Sequence, residues 1–389
     1  MRNSSQTLIW SQQIEPSQVL NITTRLKSSP APGVVYFEWL GDDSMTVETG
    51  PLNVWFLENV VVSSSPNLDL LCNASWDPLP VDELNPPYQR EVAAEQHPGK
   101  VFGSTGQQPA PEPTSIFIEE ECYILPGFCS FHMGHFITEY LPRLLVLCGF
   151  AKISNKRLPL YISRATPEYL VDSFRCILDD NGIELKLFGD CKLTTFSKAI
   201  TAPYADYLES GHIGYHPVCA KLIQDFLEKR IDALGGSSIA GNESEPWHKI
   251  YISRKHDSGY ISPVAPRTIV NEDEVIQALA ETGFLIIRME DLGLNEKILL
   301  MSKCKVMIGG WGTGLLNCIF SPPKAIVASL GIGFNSDLAK ISNLKNHRHY
   351  EIPTFNPDHP SEMIMYIRGE SQYVDINLLK GFLVAHGLD

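Results

Sequence analysis

The sequence predicts an α/β protein built from two tandem units, and three observations support this class. Short apolar runs of strand length alternate with amphipathic helical patterns from about residue 117 onward. Single helices between strands are typical of parallel sheets that carry helices on both faces. The length of 389 residues suits two or three domains. We therefore expect two α/β domains preceded by a different N-terminal region.

Composition divides the chain into five segments. Residues 1–95 form a β-rich N-terminal region, and residues 96–116 form a linker rich in Pro, Gly and Gln. Residues 117–236 are the first predicted Rossmann-like domain, and residues 237–247 are a second linker. Residues 248–389 are the second Rossmann-like domain.

Before the second linker, the sequence predicts strands first and then strands that alternate with helices. In the N-terminal region "GVVYFEWL", "MTVETG" and "NVWFLENVVVSSS" predict strands. In the first domain "SIFIEEECYILPG" predicts a strand, and "SFHMGHFITEYLPRLLVLCGF" predicts a helix with an apolar stripe. "LPLYISR" and "IELKLFG" predict strands around the helical "PEYLVDSFRCILDDNG", and "HPVCAKLIQDFLEKRIDALGG" predicts an amphipathic helix.

The second domain has the clearest alternation. "KIYISR", "FLIIRM", "KVMI" and "KAIVASL" predict strands, while "NEDEVIQALAETG", "LNEKILLMSK" and "TGLLNCIF" predict helices. Asn271 and Glu274 have the spacing of a capping box, and Gly283 is a C-terminal stop. The tetrapeptide Tyr-Ile-Ser-Arg occurs at 161–164 and again at 251–254. The repeat fits either an internal duplication or a chance recurrence of a strand-edge pattern.

Charge and cysteine content exclude several function classes. The formal net charge is −14 with no basic run, so we expect no nucleic-acid partner. The nine cysteines are scattered without a Cys-x-x-Cys pair, which argues against a disulfide framework and a thiolate zinc site. The N-terminus lacks a signal-peptide pattern, and no run reaches the ~18 apolar residues of a membrane span. We expect a cytoplasmic protein with at most peripheral membrane contact.

A glycine loop, "GGWGTGLLN", spans residues 309–317 between a predicted strand and a predicted short helix. Its spacing matches neither the Gly-x-Gly-x-x-Gly dinucleotide fingerprint nor a P-loop. Glycines after a strand allow close approach of a ligand, and the helix N-terminus at Thr313 offers free N–H groups, which suits a diphosphate. A tight turn without a ligand is the alternative.

Charged side chains near the strand ends are further candidates. Arg254 and Lys255 directly follow a strand, where a ligand would lie, and Arg can bind phosphate through two donors. Glu139 follows His135 by four residues, so a helix would place both on one face as a base and its partner. A surface ion pair, or a histidine satisfied in the core, is the alternative. Arg143 lies one turn further along.

The sequence predicts neither a metal site nor a cofactor. His132-x-x-His135 and His212-x-x-x-His216 lack an obvious third ligand. No Asp-x-Asp follows an apolar strand, where metal-dependent sugar-nucleotide enzymes carry carboxylates. We expect a metal-independent site in which positive groups and helix ends hold a diphosphate.

Three segments together resemble glycosyltransferase family 61, the capsular-polysaccharide-type and eukaryotic O-linked sugar transferases. "GHFITEYLPRLL" is similar to the family's Gly-His-aromatic…Leu-Pro-Arg-Leu helix, and "YISRK…RTIVNEDEVIQAL" is similar to its Tyr-Ile-Ser-Arg block. "DLGLNEKILLMSKCKVMIGGWGTGLLNCIFSPPKAIV" is similar to its Gly-x-His-Gly-Ala-Gly-Leu-x-Asn loop followed by Phe-x-Pro-Pro. The resemblance runs from about residue 120 to about residue 330.

The resemblance implies a GT-B fold, with two Rossmann-like domains facing a cleft, and an inverting transfer. Glu139 or His135 would take the proton from the acceptor hydroxyl. Arg143 and Arg267 are less certain members of the site. The residues that would hold the donor are Arg254, Lys255, Gly310, Trp311, Gly312, Thr313, Gly314 and Asn317.

Two positions depart from the family pattern. Trp311 replaces the loop histidine, and Ser329 stands where the strand after the loop often ends in a carboxylate that could bind ribose. A tryptophan offers phosphate no cationic contact, only one N–H donor and a stacking face. The departures leave open which donor is used and whether the protein is active.

The expected function is an inverting, metal-independent hexosyl- or pentosyltransferase with a nucleotide-sugar donor, UDP-linked by preference, and a glycan or polysaccharide acceptor such as a capsule. A catalytically silent protein of the same fold that binds sugar nucleotides or glycans is the alternative. A nicotinamide-dependent oxidoreductase is a third class, against which the loop's spacing and late position speak. An oligomer is compatible with the sequence.

Overall fold

A computed structural model gives the architecture of the chain. It describes residues 9–14, 18–21, 24–28, 37–41, 45–48, 52–65, 68–72, 116–126, 133–189, 193–204, 206–209, 212–236, 247–254, 268–333, 335–358, 363–364 and 371–389. Most of both predicted linkers, 96–116 and 237–247, therefore lies outside the described residues.

The described residues include strands from both ends of the chain's length, starting at Ile9 and ending at Ile364. In chain order the described strands are β1 (Ile9–Ile14), β2 (Gln18–Asn21), β3 (Thr24–Ser28), β4 (Phe37–Gly41), β5 (Met45–Glu48), β6 (Leu52–Ser65), β7 (Leu68–Cys72), β8 (Ile116–Ile124), β9 (Leu160–Ser163), β10 (Leu185–Phe188), β11 (Leu193–Thr201), β12 (Asp206–Glu209), β13 (His212–Tyr215), β14 (His248–Ile252), β15 (Phe284–Ile287), β16 (Cys304–Gly310), β17 (Ile326–Leu330), β18 (Arg348–Ile352), β19 (Thr354–Phe355) and β20 (Met363–Ile364).

Among the described residues, helices follow β8 and alternate with the strands, in agreement with the α/β class. The longer described helices are α1 (Leu141–Ser154), α2 (Glu168–Asp179), α3 (Pro217–Ala233), α4 (Glu272–Glu281), α5 (Leu294–Ser302), α6 (Ser336–Lys345) and α7 (Ile376–Ala385). A short α-helix (Met133–His135) and a π-helix (Phe136–Tyr140) precede α1. Two 3-10 helices (Met289–Asp291 and Thr313–Phe320) lie in the second half of the chain.

The chain forms two compact units, and each is built around one seven-stranded sheet. Unit 1 comprises Met1–Gln18, Glu48–Asp206 and His216–Ile223, and unit 2 comprises Val19–Val47, Tyr207–Tyr215 and Gln224–Asp389. The predicted N-terminal region, residues 1–95, supplies strands to both sheets: β1, β6 and β7 to the first, β3 and β4 to the second. The predicted domain boundaries stay a prediction.

The sheet of unit 1 has the strand order β1-β6-β11-β8-β9-β10, with β7 paired to β6. Strands β11, β8, β9 and β10 are parallel, whereas β6 pairs antiparallel with β11. Its core is apolar: Leu57, Val60, Val62, Cys122, Ile124, Tyr161, Phe188, Phe196 and Ala199. Helix α1 is buried on nearly every face, because ten of its fourteen residues are buried. The residues just before α1 therefore lie inside the unit.

The sheet of unit 2 has the order β15-β14-β16-β17-β18-β4-β3. The run from β15 to β18 is parallel, and β4 and β3 continue it antiparallel. Apolar side chains from the sheet, α4 and α7 form its core, among them Tyr251, Ile308, Ala328, Leu279 and Phe382. This sheet carries the glycine loop at the carboxyl end of β16.

Two local predictions were wrong in detail. Asn271 is the N-cap of α4, but its side chain makes no capping hydrogen bond. It binds the backbone of Val374 instead, accepting from the N–H at 3.0 Å and donating to the carbonyl oxygen at 2.8 Å. The predicted helix around Glu139 is interrupted by the π-helix, in which the Leu141 N–H donates to the Phe136 carbonyl oxygen.

Candidate functional site

The strand order of unit 2 creates a topological switch point between β14 and β16. From β14 the chain adds β15 on one side and then crosses back to add β16 on the other. Ile252 at the end of β14 lies in register with Gly309 near the end of β16. In open α/β sheets, ligands bind in the crevice outside the carboxyl ends of strands at such a point. The glycine loop and Arg254 both begin there.

Dense packing explains two glycines of the loop, Gly309 and Gly314. Gly309 and Gly310 are the last residues of β16, so the strand runs two residues further than "KVMI" alone predicts. A Cβ on Gly309 would lie 3.2 Å from Ile252 Cβ, and one on Gly314 would lie 3.0 Å from Ile252 Cγ2. Real Cβ atoms rarely approach so closely in a dense core. A tight turn without a ligand therefore explains why positions 309 and 314 are glycine.

Gly312 and the start of the 3-10 helix are suited to an anion. Gly312 has φ 143° and ψ −167°, a conformation that is almost restricted to glycine. Hydrogen bonding from the helix start begins at Leu315, whose N–H donates to the Gly312 carbonyl oxygen at 3.1 Å. Within the described chain, the N–H groups of Gly312, Thr313 and Gly314 have no acceptor. Consecutive free N–H groups at a helix start are a ready anion site.

Arg254 lies directly over this loop. Its Nη2 donates to the carbonyl oxygen of Trp311 at 2.9 Å. A Cβ built on Gly310 would be 3.6 Å from Arg254 Nε, so the guanidinium covers the strand end. The structure thus brings together the predicted phosphate-binding arginine and the predicted phosphate-binding loop.

Trp311 uses its polar groups within the protein. Its N–H donates to the Leu330 carbonyl oxygen at 3.0 Å, and its indole Nε1 donates to the Gly333 carbonyl oxygen at 2.7 Å. Its own carbonyl oxygen accepts from Arg254. Trp311 therefore ties the loop after β16 to the segment after β17.

Asn317 and Ser329 are buried beneath the loop. Asn317 Nδ2 donates to the Gly314 carbonyl oxygen at 2.8 Å, which braces the first turn of the 3-10 helix. Its Oδ1 is buried and has no partner in the described part of the chain. Ser329 is fully buried, and its hydroxyl donates to the Gly331 carbonyl oxygen at 3.1 Å. Asn317 therefore braces the loop, whereas Ser329 braces the turn after β17.

Glu272, the first residue of α4, belongs to the same site, and the sequence analysis missed it. Its Oε1 accepts from the Tyr251 hydroxyl at 3.1 Å, the Ser253 hydroxyl at 3.0 Å and the Arg254 N–H at 2.9 Å. Burial, together with the neighbouring Glu272 carboxylate, raises the pKa of Tyr251 well above its usual range. An acid at a predicted helix start, just downstream of "YISR", is the sequence signal that could have identified it.

Three candidate positions cannot be placed. Lys255, Arg267 and His132 lie outside the described residues, so their parts in the site stay predictions.

In unit 1, the π-helix carries the predicted acid–base pair. His135 Nδ1 lies 2.7 Å from Glu139 Oε1. Since an ionised carboxylate only accepts, the histidine donates this bond from Nδ1. The His135 side chain is 24% exposed and that of Glu139 is 7% exposed. Glu139 Oε2 is buried without a partner in the described part of the chain. Single π-helical turns are rare and frequently mark functional sites.

Arg143 spans the corresponding switch point of unit 1. In that sheet β9 joins one side of β8 and β11 joins the other. Arg143 Nη1 donates to the Pro126 carbonyl oxygen after β8 at 2.7 Å, and Nε donates to the Ala202 carbonyl oxygen after β11 at 3.0 Å. Its guanidinium carbon lies 4.4 Å from the centre of the Tyr204 ring. The side chain is fully buried, so Arg143 clamps the strand ends.

The two Tyr-Ile-Ser-Arg segments occupy different places in their sheets. The copy at 251–254 ends β14 at the switch point of unit 2. The copy at 161–164 ends β9, which lies between β8 and β10 in unit 1. The placement favours chance recurrence, and Arg164 is not at the switch point.

Two observations concern metals and membranes. Within the part of the chain that the structure describes, no group of three or more His, Cys, Asp or Glu side chains could hold a metal ion. His216 Nδ1 accepts from the Val218 N–H at 3.3 Å. Among the helices that are described, none is both long and apolar enough to cross a membrane.

Comparison with known proteins identifies the family. No curated protein matches the chain. A protein-family model described as Glycosyltransferase 61 matches residues 133–328, which is 196 of the 389 residues. The match includes the His135–Glu139 pair, Arg143, Arg254, Glu272 and the glycine loop. The chain belongs to the glycosyltransferase 61 family.

Proposed function

We propose that this protein is an inverting glycosyltransferase that moves a hexose or pentose from a nucleotide sugar, preferably UDP-linked, to a hydroxyl of a glycan or polysaccharide. We also propose that its two α/β domains have the GT-B arrangement, in which they face a cleft. The observation that carries it is the proximity of Arg254 to three N–H groups that have no acceptor among the described residues, at the switch point of unit 2. Family membership supplies the reaction class.

The donor diphosphate binds at the glycine loop. Arg254 supplies a full positive charge, and the N–H groups of Gly312, Thr313 and Gly314 supply donors at a positive helix end. These groups stabilise the negative charge that develops on the leaving diphosphate, so the reaction needs no metal ion. Trp311 holds the loop in shape and leaves the phosphate contacts to Arg254 and the backbone.

His135 is the base and Glu139 orients it. The base must be reachable by the acceptor, and the more exposed member of the pair is His135. Glu139 accepts from the Nδ1–H of His135, so Nε2 is the ring nitrogen that carries no proton in the neutral tautomer and acts as the base, as in other carboxylate–histidine dyads.

The proposed transfer is a single displacement at the anomeric carbon. The acceptor hydroxyl gives its proton to His135 Nε2, and its oxygen bonds to the anomeric carbon. The bond from that carbon to the diphosphate oxygen breaks, and the nucleoside diphosphate leaves with the electron pair. Attack opposite the leaving group inverts the anomeric centre.

A catalytically silent binder of sugar nucleotides is the second candidate. Trp311 favours it, because this residue stands in place of the family's loop histidine and offers no cation. A silent protein would bind a nucleotide and turn over no donor, so turnover separates the two candidates.

A thermal-shift panel tests the donor class. UDP, GDP and CMP are each added with EDTA, and NAD serves as the comparison. We expect UDP to raise the melting temperature, because a ligand at about 100 times its Kd adds about 2.7 kcal/mol of stability. EDTA should leave the shift unchanged. A response to NAD alone would overturn both the transferase and the silent binder.

A further inference from the structure

One carboxylate oxygen of Glu272 accepts hydrogen bonds from three groups at the end of β14. Its Oε1 accepts from Tyr251, the last but one residue of β14, and from Ser253 and Arg254 just beyond the strand. Glu272 is 8% exposed, so these bonds lie in a low-dielectric setting where each is strengthened. The Glu272 carboxylate thus adds three bonds to the end of β14, where the Ser253 N–H also donates to the Ile287 carbonyl oxygen at 2.9 Å.

The way in which Glu272 holds Arg254 matters for binding. Glu272 accepts from the Arg254 main-chain N–H, and it forms no ion pair with the guanidinium in the described chain. The carboxylate lies at the N-terminus of α4, where a negative charge is favourable. The guanidinium of Arg254 is directed to the Trp311 carbonyl oxygen instead.

We propose that Glu272 is a positioning residue for the donor diphosphate, acting through Arg254. It fixes the Arg254 backbone from the side of α4, while the Trp311 carbonyl oxygen holds the side chain from the side of the loop. The guanidinium is held in place beside the anion-binding N–H groups before the donor arrives. Preorganisation of this kind raises affinity by lowering the ordering cost of binding. The inference rests on the proposed function.

The test measures UDP affinity by calorimetry in Glu272→Ala, Glu272→Gln and Arg254→Gln proteins and in the double variant Glu272→Ala/Arg254→Gln. We expect Glu272→Ala to weaken UDP binding about tenfold. Glu272→Gln keeps an acceptor oxygen and should restore part of that loss. In the Arg254→Gln background, Glu272→Ala should have no further effect. Glu274→Ala is the matched control, since Glu274 is an exposed acid in the same helical turn.

Wild-type affinity in Glu272→Ala, or losses that multiply in the double variant, would overturn the inference. If Glu272→Ala does not fold, the same comparisons are made with Glu272→Gln. A second readout needs no nucleotide: Glu272→Ala should lower the urea midpoint equally in the wild-type and the Arg254→Gln backgrounds, because both keep the main-chain N–H that Glu272 binds, and an unchanged midpoint would overturn the inference. Failure of UDP to bind the wild-type protein would count against the proposed function. The urea midpoints would still test whether Glu272 holds the end of β14.

Discussion

The Nη2 of Arg254 donates a 2.9 Å hydrogen bond to the main-chain carbonyl oxygen of Trp311. This bond joins the segment after β14 to the loop after β16, across the switch point of the second sheet. It places a guanidinium beside three N–H groups that have no acceptor in the described chain. A cation near a helix start whose N–H groups lack acceptors suits a diphosphate.

Loss of the Arg254 charge should weaken nucleoside diphosphates selectively. Arg254→Gln is expected to lower UDP affinity about 10- to 100-fold, the range for one hydrogen bond to a charged group. Uridine, which has no phosphate, should be much less affected, and calorimetry with both ligands measures the difference. Arg175→Gln, which removes the same charge from an exposed ion-pair site, is the control. Equal losses for UDP and uridine would show that Arg254 does not contact phosphate.

Gly312 should tolerate no side chain. Gly312→Ala is expected to cost about 1–3 kcal/mol of stability, because its backbone conformation is essentially restricted to glycine. The strained loop should also lose UDP affinity. Gly214→Ala is the matched control, since a Cβ there meets no atom within 4 Å. Urea unfolding and UDP titration of both variants check the prediction, and an unchanged Gly312→Ala protein would contradict it.

The Trp311 side chain should matter more for stability than for nucleotide binding. Trp311→Phe keeps an aromatic ring and removes the indole N–H that reaches the Gly333 carbonyl oxygen. We expect a loss of about 1 kcal/mol in the free energy of unfolding. The UDP affinity should change by less than about threefold, because the indole N–H serves the protein itself. A tenfold loss of affinity at unchanged stability would assign Trp311 to the donor instead.

Two buried histidines predict acid sensitivity of the fold. Burial lowers the pKa of His347 and of His349 to about 3, against the ordinary 6.5. Between these values the unfolded chain binds more protons than the folded chain, so stability falls as the pH falls below about 6.5. At pH 5 each ring should cost about 2 kcal/mol relative to pH 8.

The variant His347→Gln tests this pH dependence. Glutamine can keep a donor near the Cys318 carbonyl oxygen, which lies 3.1 Å from His347 Nε2. Urea unfolding at pH 8 and pH 5 should show a smaller difference in the variant than in the wild-type protein. The same difference in both proteins would show that His347 does not cause it.

Much of the fold was predictable because its signals are local. The alternation of strands and helices, the strand before the glycine loop and the helix after Arg254 follow from the spacing of apolar residues. Carboxyl ends of parallel strands share one edge, so the sequence could associate Arg254 with the loop. The family resemblance, stated from three motifs, is confirmed by the match over residues 133–328.

The missed features depend on contacts that are distant in the sequence. Glu272 is important because three donors from 18 to 21 residues upstream converge on it. Asn271 binds Val374 rather than capping its own helix, since that partner comes from 103 residues downstream. The π-helix at Phe136–Tyr140 has the same apolar spacing as an α-helix over so short a span. The strands of residues 1–95 join sheets formed by later residues, which local patterns cannot show.

Donor turnover in His135→Ala and Glu139→Gln proteins tests most directly whether His135 is the base and Glu139 orients it. The UDP affinity is measured on the same samples. Both variants should bind UDP within about threefold of the wild-type protein, because neither residue belongs to the loop of unit 2. The donor and the acceptor found for the wild-type protein are the substrates in this assay.

Both variants should lose turnover about 10²- to 10⁴-fold, the usual contribution of a general base. Added imidazole should restore turnover in the His135→Ala protein only, because it replaces the missing base. Wild-type turnover in His135→Ala would contradict the account, and so would imidazole rescue of Glu139→Gln in its place.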